Sequence, residues 1–356
     1  LVYSAVVTLV PLGVFIIPSV NPSSWAVLAG LTVWLATYGF YTASSRGRRI
    51  ALGAIAGVLG VMGAGARGDS AVFVAFAALA AAILSFEKTR SWLKLSLLPL
   101  GLIVAGAAFF LSAGQSTGVE SVGIAQGATD PASSAAATSA IPDATGGPGL
   151  GVGLVVRNLM GLPLLWTGGT GTWGLGWLDT LMPPVVWIIM MGALFAVPFV
   201  GLRKMTVRKV LVLALALVGL TAIPLYVLQG YQVRVGDQIQ PRYLLPLVII
   251  FVGVAVFGFA RDHLGLSRIQ TGTLFSGVAL ANALSLHNTG LGDGGFNLNA
   301  DIEWSWSRPI QPMTVWFAGS AAIALTLAGL FLMLYPKGER LTAPIEERAP
   351  APGQAA

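Results

Sequence analysis

The sequence contains no cysteine and only two histidines, His263 and His287. The absence of cysteine excludes disulfides, thiolate metal sites and cysteine nucleophiles. Two histidines are too few for a metal site built from histidine. No P-loop, zinc signature, serine-nucleophile elbow or dinucleotide fingerprint occurs in a usable context. The sequence therefore shows no evident cofactor and leaves open only a divalent cation of unknown identity.

Charged residues are also scarce, at 10% of the chain against roughly 25% in an ordinary soluble domain. Hydrophobic residues make up 55%, and the mean hydropathy is +0.80. This composition is that of an integral membrane protein, whose first partner is the lipid bilayer. The net charge of +6 would fit a nucleic-acid-binding protein, but most basic residues lie where they report membrane topology. We therefore predict no nucleic-acid partner.

Long apolar runs predict the fold class. A bilayer core needs about 20 apolar residues per helix, and this rule predicts an all-α, polytopic transmembrane helix bundle of about ten helices. The predicted spans are residues 3–17, 25–41, 50–66, 71–86, 95–111, 181–199, 210–228, 243–259, 271–286 and 313–335. They form two groups, within residues 1–111 and 181–335, and a disordered cytoplasmic tail follows at 336–356. Because Leu1 is not an initiator methionine, we expect a further segment upstream.

Basic residues collect on every second connection between these spans, as expected of cytoplasmic loops in a plasma-membrane protein. They are Arg46, Arg48, Arg49, Lys88, Arg90, Lys94, Arg203, Lys204, Arg208, Lys209, Arg261, Arg268, Lys337, Arg340 and Arg348. The opposite, extracytoplasmic side holds most of the acidic residues and five arginines: Arg67, Arg157, Arg234, Arg242 and Arg308. These five contradict the topological bias and therefore need another explanation.

The longest connection, residues 112–180, lies on the extracytoplasmic side. Its first part is a low-complexity run of Ala, Ser, Thr, Pro and Gly, which is typical of a loop without a core. Its second part, "LVVRNLMGLPLLWTGGTGTWGLGWLDT", predicts an amphipathic helix at the membrane interface around Arg157 and Asn158. A glycine-rich turn with three tryptophans follows that helix.

Polar groups at membrane depth indicate a site lined by protein or water, unless they reach the membrane surface. In "GDQIQPRY", Arg242 and Tyr243 open a predicted helix after Pro241. The Arg242 guanidinium can bind a phosphate or carboxylate, aided by the positive end of the helix dipole. Tyr243 can stack on a sugar ring, and Gln240 adds a neutral donor and acceptor. The alternative interpretation is an interfacial anchor with no ligand.

Three further stretches place polar residues on the same side. In "ARGDSA", Arg67 and Asp69 can face the same cavity as Arg242, or they can pair only with each other. In "VNPSSW", Asn21 can line the site or cap the next helix together with Ser23. In "GWLDT", Asp179 can likewise cap a helix or act as a catalytic base. Asp179 and Asp69 are weak candidates for catalysis, and the catalytic residues are otherwise unknown.

These stretches resemble motifs of the DUF2142 family of predicted bacterial membrane proteins. The family motifs are matched, in the same order, by "NPS" at residues 21–23, "RGD" at 67–69, "GWLDT" at 176–180 and "QPRYLLPL" at 240–247. The chain departs from the family in having Pro241 where glycine usually precedes the Arg-Tyr pair. It also lacks a match to the acidic Pro-Asp-Glu type motif that family members carry in an N-terminal outer loop.

The family is similar in layout to GT-C glycosyltransferases, which transfer sugars from polyprenyl-phosphate donors at the outer membrane face. The resemblance implies that Arg242, helped by Arg67, binds the lipid phosphate, and that Tyr243, Gln240 and Asp179 line the sugar side. The implied partners are a polyprenyl-phosphate-linked sugar and a glycan acceptor in the cell envelope. Three alternatives stay open: a transporter or flippase of lipid-linked saccharide, a non-catalytic membrane scaffold, and an O-antigen ligase or polymerase.

Overall fold

The structure is a computed structural model, and it describes residues 2–8, 11–19, 21–112, 152–173, 182–236, 239–258, 263–291 and 311–335. Of these residues 85% are helical, and none lies in a strand, which confirms the all-α fold class. Several predicted features lie outside the described residues: the low-complexity loop, the turn around Trp177 and Asp179, the residues Asp237 and Gln238, and the C-terminal tail.

The helices begin and end close to the limits that the apolar runs predict. They are α1 (Val2–Thr8), α2 (Pro11–Ile16), α3 (Pro22–Thr42), α4 (Arg46–Ala66), α5 (Gly68–Leu84), α6 (Arg90–Leu95), α7 (Leu97–Ser112), α8 (Val152–Thr167), α9 (Pro184–Gly201), α10 (Val207–Gly230), α11 (Pro241–Ala255), α12 (Arg268–Leu291) and α13 (Pro312–Leu334). Short 3₁₀ turns occur at Gly168–Thr170 and His263–Gly265.

Five stretches of helix are long and apolar enough to cross a membrane: α4, α6 with α7, α9, α10 and α13. Two shorter apolar helices, α5 and α11, add to them. The long helices α3 and α12 contain more polar residues than these apolar helices and are not among the five. The structure therefore confirms a multi-pass helical membrane protein, while the count of about ten spans stays a prediction.

The first predicted span, residues 3–17, contains the short helices α1 and α2, and α2 begins at Pro11. Residues 9 and 10 lie outside the described residues, so one continuous helix over residues 3–17 stays a prediction. A break at Ser96 separates α6 from α7.

Helix α11 lies at the centre of the bundle. All of its residues except Arg242 and Phe251 are buried, and it packs against α1, α3, α5, α8, α9 and α10. Two glycines allow its close approach to α3. A Cβ atom on Gly30 would lie 2.9 Å from the Cα of Pro246, and one on Gly253 would lie 2.6 Å from Cζ2 of Trp34. The position of Arg242 and Tyr243 therefore depends on this helix crossing.

Lys209 lies at one end of the bundle, which we call the Lys209 end. The Lys209 side chain is buried, and its Nζ donates to the carbonyls of Gly201, Lys204 and Phe257 at 2.8, 2.9 and 3.1 Å. These carbonyls lie at or just after the ends of α9 and α11, where the last C=O groups of a helix have no partner within it. Lys209 therefore ties two helix ends together.

Helix α8 confirms the helix predicted in the long connection, although its placement at a membrane interface stays a prediction. It packs against α10 and α11. The indole Nε1 of Trp166 donates to the carbonyl of Leu220 in α10 at 3.0 Å. Pro224 lies four residues after Leu220 and has no N–H to bond that carbonyl. Trp166 therefore satisfies a backbone group that Pro224 leaves open.

Candidate functional site

The site lies at the end of the bundle opposite Lys209, where α3, α5 and α11 begin; we call this the Arg67 end. At the start of α3, the Asn21 side chain accepts a hydrogen bond from the backbone N–H of Ser23 at 2.9 Å. Asn21 therefore caps α3, as one of the two interpretations of this stretch expects. The Ser23 side chain is buried and directed toward Arg67.

Arg67 occupies the short connection between α4 and α5, where Ser70 fixes the turn. The backbone N–H of Arg67 donates to the Ser70 hydroxyl oxygen at 3.1 Å. That hydroxyl, which is fully buried, also contacts the carbonyls of Gly63 and Arg67. The pattern resembles a capping box, in which a side chain in the first turn bonds the backbone of the capping residue. The Arg67 backbone is thereby fixed at the start of α5.

The Arg67 side chain forms a two-point ion pair with Asp69. Its Nε donates to Oδ1 at 2.9 Å and its Nη2 to Oδ2 at 3.0 Å, while its Nη1 donates to the Ser23 hydroxyl at 2.6 Å. The side chains of Arg67 and Asp69 are only 13% and 4% exposed. Asp69 also accepts from the backbone N–H of Ser70 at 3.0 Å. Three donors thus occupy the Asp69 carboxylate, and this geometry favours a structural role for Asp69 over a catalytic one.

Tyr243, in the first turn of α11, brings the two arginines together. The Arg67 guanidinium carbon lies 4.3 Å from the centre of the Tyr243 ring, and that of Arg242 lies 5.1 Å from it. Both distances fall within the range of cation–π contacts. Nη2 of Arg242 also donates to the Tyr243 hydroxyl at 3.3 Å. We call Ser23, Arg67, Asp69, Arg242 and Tyr243 the arginine cluster.

The residue before α11, Gln240, is 8% exposed and occupies the capping position of that helix. Its Oε1 atom is buried and accepts no hydrogen bond in the part of the chain that the structure describes. A buried amide oxygen without a donor is costly, so this atom is suited to accept from a ligand. Gln240 therefore stays a candidate beside the arginine cluster, whereas Asp179 lies outside the described residues.

The structure adds Asn158, which the sequence places in α8 without indicating a role. Its side chain is 1% exposed, and its amide bonds the backbone on both sides of Arg234. Nδ2 donates to the carbonyl of Val233 at 2.9 Å, and Oδ1 accepts from the N–H of Val235 at 3.0 Å. This segment leads into "GDQIQPRY", so α8 fixes the chain that enters the arginine cluster. The sequence signal that could have indicated this role is the polar side chain of Asn158 on the apolar face of the predicted helix.

An apolar cavity adjoins the cluster. A cavity of about 280 Å³ lies between α5, α7 and α10; Asp69 lines it together with Phe73, Phe110, Ile223 and Tyr226. Within the described residues, no three His, Asp or Glu side chains come together as metal ligands. His287, which follows the predicted span 271–286, is buried and packs edge-on against Trp316, with ring centres 4.8 Å apart.

Two guanidinium groups around one aromatic ring, at the N-termini of α5 and α11, favour the binding of an anion. Helix N-termini carry partial positive charge, which adds to that of the side chains. Asp69 and Ser23 bond three of the Arg67 donors, which fixes the guanidinium that lies over Tyr243, and Arg242 adds a second guanidinium to the same ring. The structure thus brings together three segments that the sequence singled out separately.

Comparison with known proteins identifies a family. The model of a family described as a predicted membrane protein, DUF2142, matches residues 1–251, which is more than half of the chain. The matched region includes Ser23, Arg67, Asp69, Arg242 and Tyr243, and it ends before α12 and α13. Neither the curated proteins nor the solved structures yielded a match.

Proposed function

The chain belongs to the DUF2142 family of predicted membrane proteins, and we propose that it is a GT-C-like glycosyltransferase of cell-envelope polysaccharide metabolism. Its donor is a polyprenyl-phosphate-linked sugar, its acceptor is a glycan, and its location is the plasma membrane. The basic Lys209 end faces the cytoplasm, because basic loops are retained there. The Arg67 end and residues 112–180 then lie outside.

One observation carries this proposal: Arg67, Arg242 and Tyr243 converge at one end of the bundle, beside an apolar cavity. A lipid-linked sugar has a negative phosphate, a sugar with flat apolar faces, and a hydrocarbon chain. In the proposed complex, Arg242 binds the phosphate through charge-assisted hydrogen bonds. Tyr243 and Gln240 contact the sugar, and Arg67, fixed by Asp69, positions Tyr243.

In the proposed reaction, an acceptor hydroxyl attacks the anomeric carbon of the sugar. The bond between that carbon and the phosphate oxygen breaks, polyprenyl phosphate leaves, and the hydroxyl proton passes to a carboxylate. Arg242 stabilises the charge that develops on the departing phosphate. Asp69 is already paired with Arg67, so we do not assign it as the base; Asp179 stays a weak candidate. No resident metal takes part in the roles assigned here.

A non-catalytic membrane scaffold is the second candidate, and the ion pair between Arg67 and Asp69 favours it. A pair of this kind contributes to the packing of α3 against α5 whether or not a ligand binds. A scaffold would use Tyr243 in the same way, as an aromatic surface for two cations. The two candidates differ in whether sugar is released from its lipid phosphate.

A transfer assay tests the proposal. Full-length protein in proteoliposomes is supplied with radiolabelled polyprenyl-phosphate mannose, or the corresponding pentose donor, and with an oligosaccharide acceptor, and the release of polyprenyl phosphate is followed. We expect release by the wild type and by Arg157→Ala, a control that removes another predicted extracytoplasmic arginine. We expect a loss of at least about tenfold in Arg242→Ala, the range of one charge-assisted contact.

Other results contradict the proposal. If the donor binds but is never cleaved with either sugar, the scaffold interpretation replaces the transferase. If the intact donor moves between leaflets without cleavage, the protein is a transporter or flippase. If Arg242→Ala releases polyprenyl phosphate as fast as Arg157→Ala, the arginine cluster is not the phosphate site.

A further inference from the structure

The short helix α6 presents an exposed side that is both basic and apolar. Arg90, Leu93 and Lys94 are three and four residues apart, so their side chains lie on one side of the helix. Both basic residues are exposed, and Leu93 is 67% exposed. Leu97, in the first turn of α7, is 69% exposed. We call Arg90, Leu93, Lys94 and Leu97 the α6 face.

The other side of α6 fixes the α6 face to the bundle. Trp92 stacks on Tyr41 of α3, with ring centres 6.0 Å apart and planes inclined by 13°, and it packs edge-on against Phe86 at 4.9 Å. The hydroxyls of Tyr41 and Ser96 share a hydrogen bond of 2.8 Å. The Thr89 hydroxyl caps the helix by accepting from the backbone N–H of Trp92 at 3.1 Å. The α6 face therefore has a defined position.

The α6 face lies at the end of a membrane span. Helices α6 and α7 together form one of the five stretches that are long and apolar enough to cross a membrane, and α6 is the end with charged residues. Such an end lies where the hydrocarbon region meets the lipid headgroups. There Leu93 and Leu97 can contact acyl chains while Arg90 and Lys94 stay with the phosphates.

The surroundings of the α6 face are strongly basic. The guanidinium carbon of Arg208, the neighbour of Lys209, lies 5.7 Å from the centre of the Phe86 ring, so the α6 face belongs to the Lys209 end. A single acidic residue, Glu87, occurs within residues 43–49 and 85–94, against the basic residues Arg46, Arg48, Arg49, Lys88, Arg90 and Lys94. An excess of positive charge attracts anionic partners.

We propose that the α6 face binds the headgroups of anionic phospholipids, with lipid phosphates at Arg90 and Lys94. The exposed leucines favour a lipid over an acidic protein segment, because Leu93 and Leu97 face the boundary of the hydrocarbon region. Clusters of basic residues at the end of a span attract anionic lipids in this way. The α6 face and the arginine cluster lie at opposite ends of the bundle, so this inference goes beyond the proposed function and does not depend on it.

Native mass spectrometry of the full chain in detergent tests the inference. The protein is titrated with phosphatidylglycerol or with phosphatidylcholine of the same acyl chains, and bound lipids are counted. We expect the wild type to bind phosphatidylglycerol at least about tenfold more tightly than phosphatidylcholine. The double variant Arg90→Gln, Lys94→Gln should bind phosphatidylglycerol about 10- to 30-fold more weakly, since each basic residue near an anionic surface contributes roughly a factor of five.

A second double variant removes the same charge from the same end. Arg203→Gln with Arg268→Gln changes exposed residues just after α9 and at the start of α12, away from α6. This variant should bind phosphatidylglycerol within about threefold of the wild type. All four substitutions are at exposed positions, and melting temperatures in detergent check that both variants are folded. Inorganic phosphate, added at about tenfold excess over the lipid, should displace little phosphatidylglycerol because it lacks acyl chains.

Three results overturn the inference: equal affinity of the wild type for the two lipids, equal losses in the two double variants, and displacement of the lipid by inorganic phosphate. The last result would indicate a site for a free anion. Absence of any bound phosphatidylglycerol overturns it as well. Because Arg242 is unchanged in all these proteins, a failure here leaves the transfer assay unaffected, and a failure of the transfer assay leaves phosphatidylglycerol binding unaffected.

Discussion

The guanidinium group of Arg67 lies 4.3 Å from the centre of the Tyr243 ring, so the connection between α4 and α5 touches the first turn of the central helix α11. Arg67 is in turn held by Asp69 and by Ser23. Three segments that are far apart in the sequence therefore share one polar cluster at the Arg67 end. The function proposed here depends on the stability and exact position of that cluster.

Breaking the ion pair should destabilise the protein. Arg67→Met leaves the buried Asp69 carboxylate without its main partner. Asp69→Leu removes the carboxylate that pairs with the Arg67 guanidinium. Each single variant should lose about 3 kcal/mol of unfolding free energy, whereas the double variant should lose clearly less than the sum. Reversible unfolding in detergent measures the unfolding free energy of the wild type, the two single variants and the double variant. Additive losses would mean that the pair contributes no coupling energy.

The crossing of α3 and α11 should tolerate no added methyl group. Gly30→Ala places a Cβ atom against Pro246, and relief of this contact displaces α11 together with Arg242. We expect a loss of about 1 to 3 kcal/mol in stability, the usual cost of overpacking, and weaker ligand binding. Gly192→Ala is the control, because its Cβ meets nothing within 4 Å and helix propensity favours alanine. Equal melting temperatures for Gly30→Ala and Gly192→Ala would contradict the close approach of α3 and α11 at Gly30.

Lys209 should stabilise the opposite end of the bundle. Lys209→Met removes the donor shared by the carbonyls of Gly201, Lys204 and Phe257 and leaves them buried. The loss should be about 2 to 4 kcal/mol, since hydrogen bonds to charged groups are worth more than neutral ones. The neighbouring Arg208 is exposed, so Arg208→Met should melt within a degree or two of the wild type. A Lys209→Met variant as stable as Arg208→Met would show that these bonds contribute nothing.

Asn158 should fix the segment before α11. Asn158→Leu removes both hydrogen bonds to Val233 and Val235, at a cost of about 2 kcal/mol. A spin label on Gln232→Cys, an exposed position in the same segment, should become more mobile in this background. Leu159→Ala, an exposed change on the same helix, should leave the label unaffected. Unchanged label mobility in Asn158→Leu would show that α8 does not order the segment.

Much of the fold could be predicted from the sequence because lipid demands long apolar helices, and α4, α9, α10 and α13 follow the apolar runs closely. The site could be predicted only as separate candidates. A guanidinium has five donors, and the sequence does not indicate that Arg67 would divide its contacts among Asp69, Ser23 and Tyr243. The role of Asn158 depends on tertiary packing, which no local pattern shows.

The most direct measurement is the affinity of the purified protein in nanodiscs for polyprenyl phosphate, compared between the wild type, Arg242→Ala and Arg157→Ala. If the arginine cluster binds the lipid phosphate, Arg242→Ala should bind about 10- to 100-fold more weakly, while Arg157→Ala stays within about twofold of the wild type. Equal affinities for all three folded proteins would contradict a phosphate site at the arginine cluster.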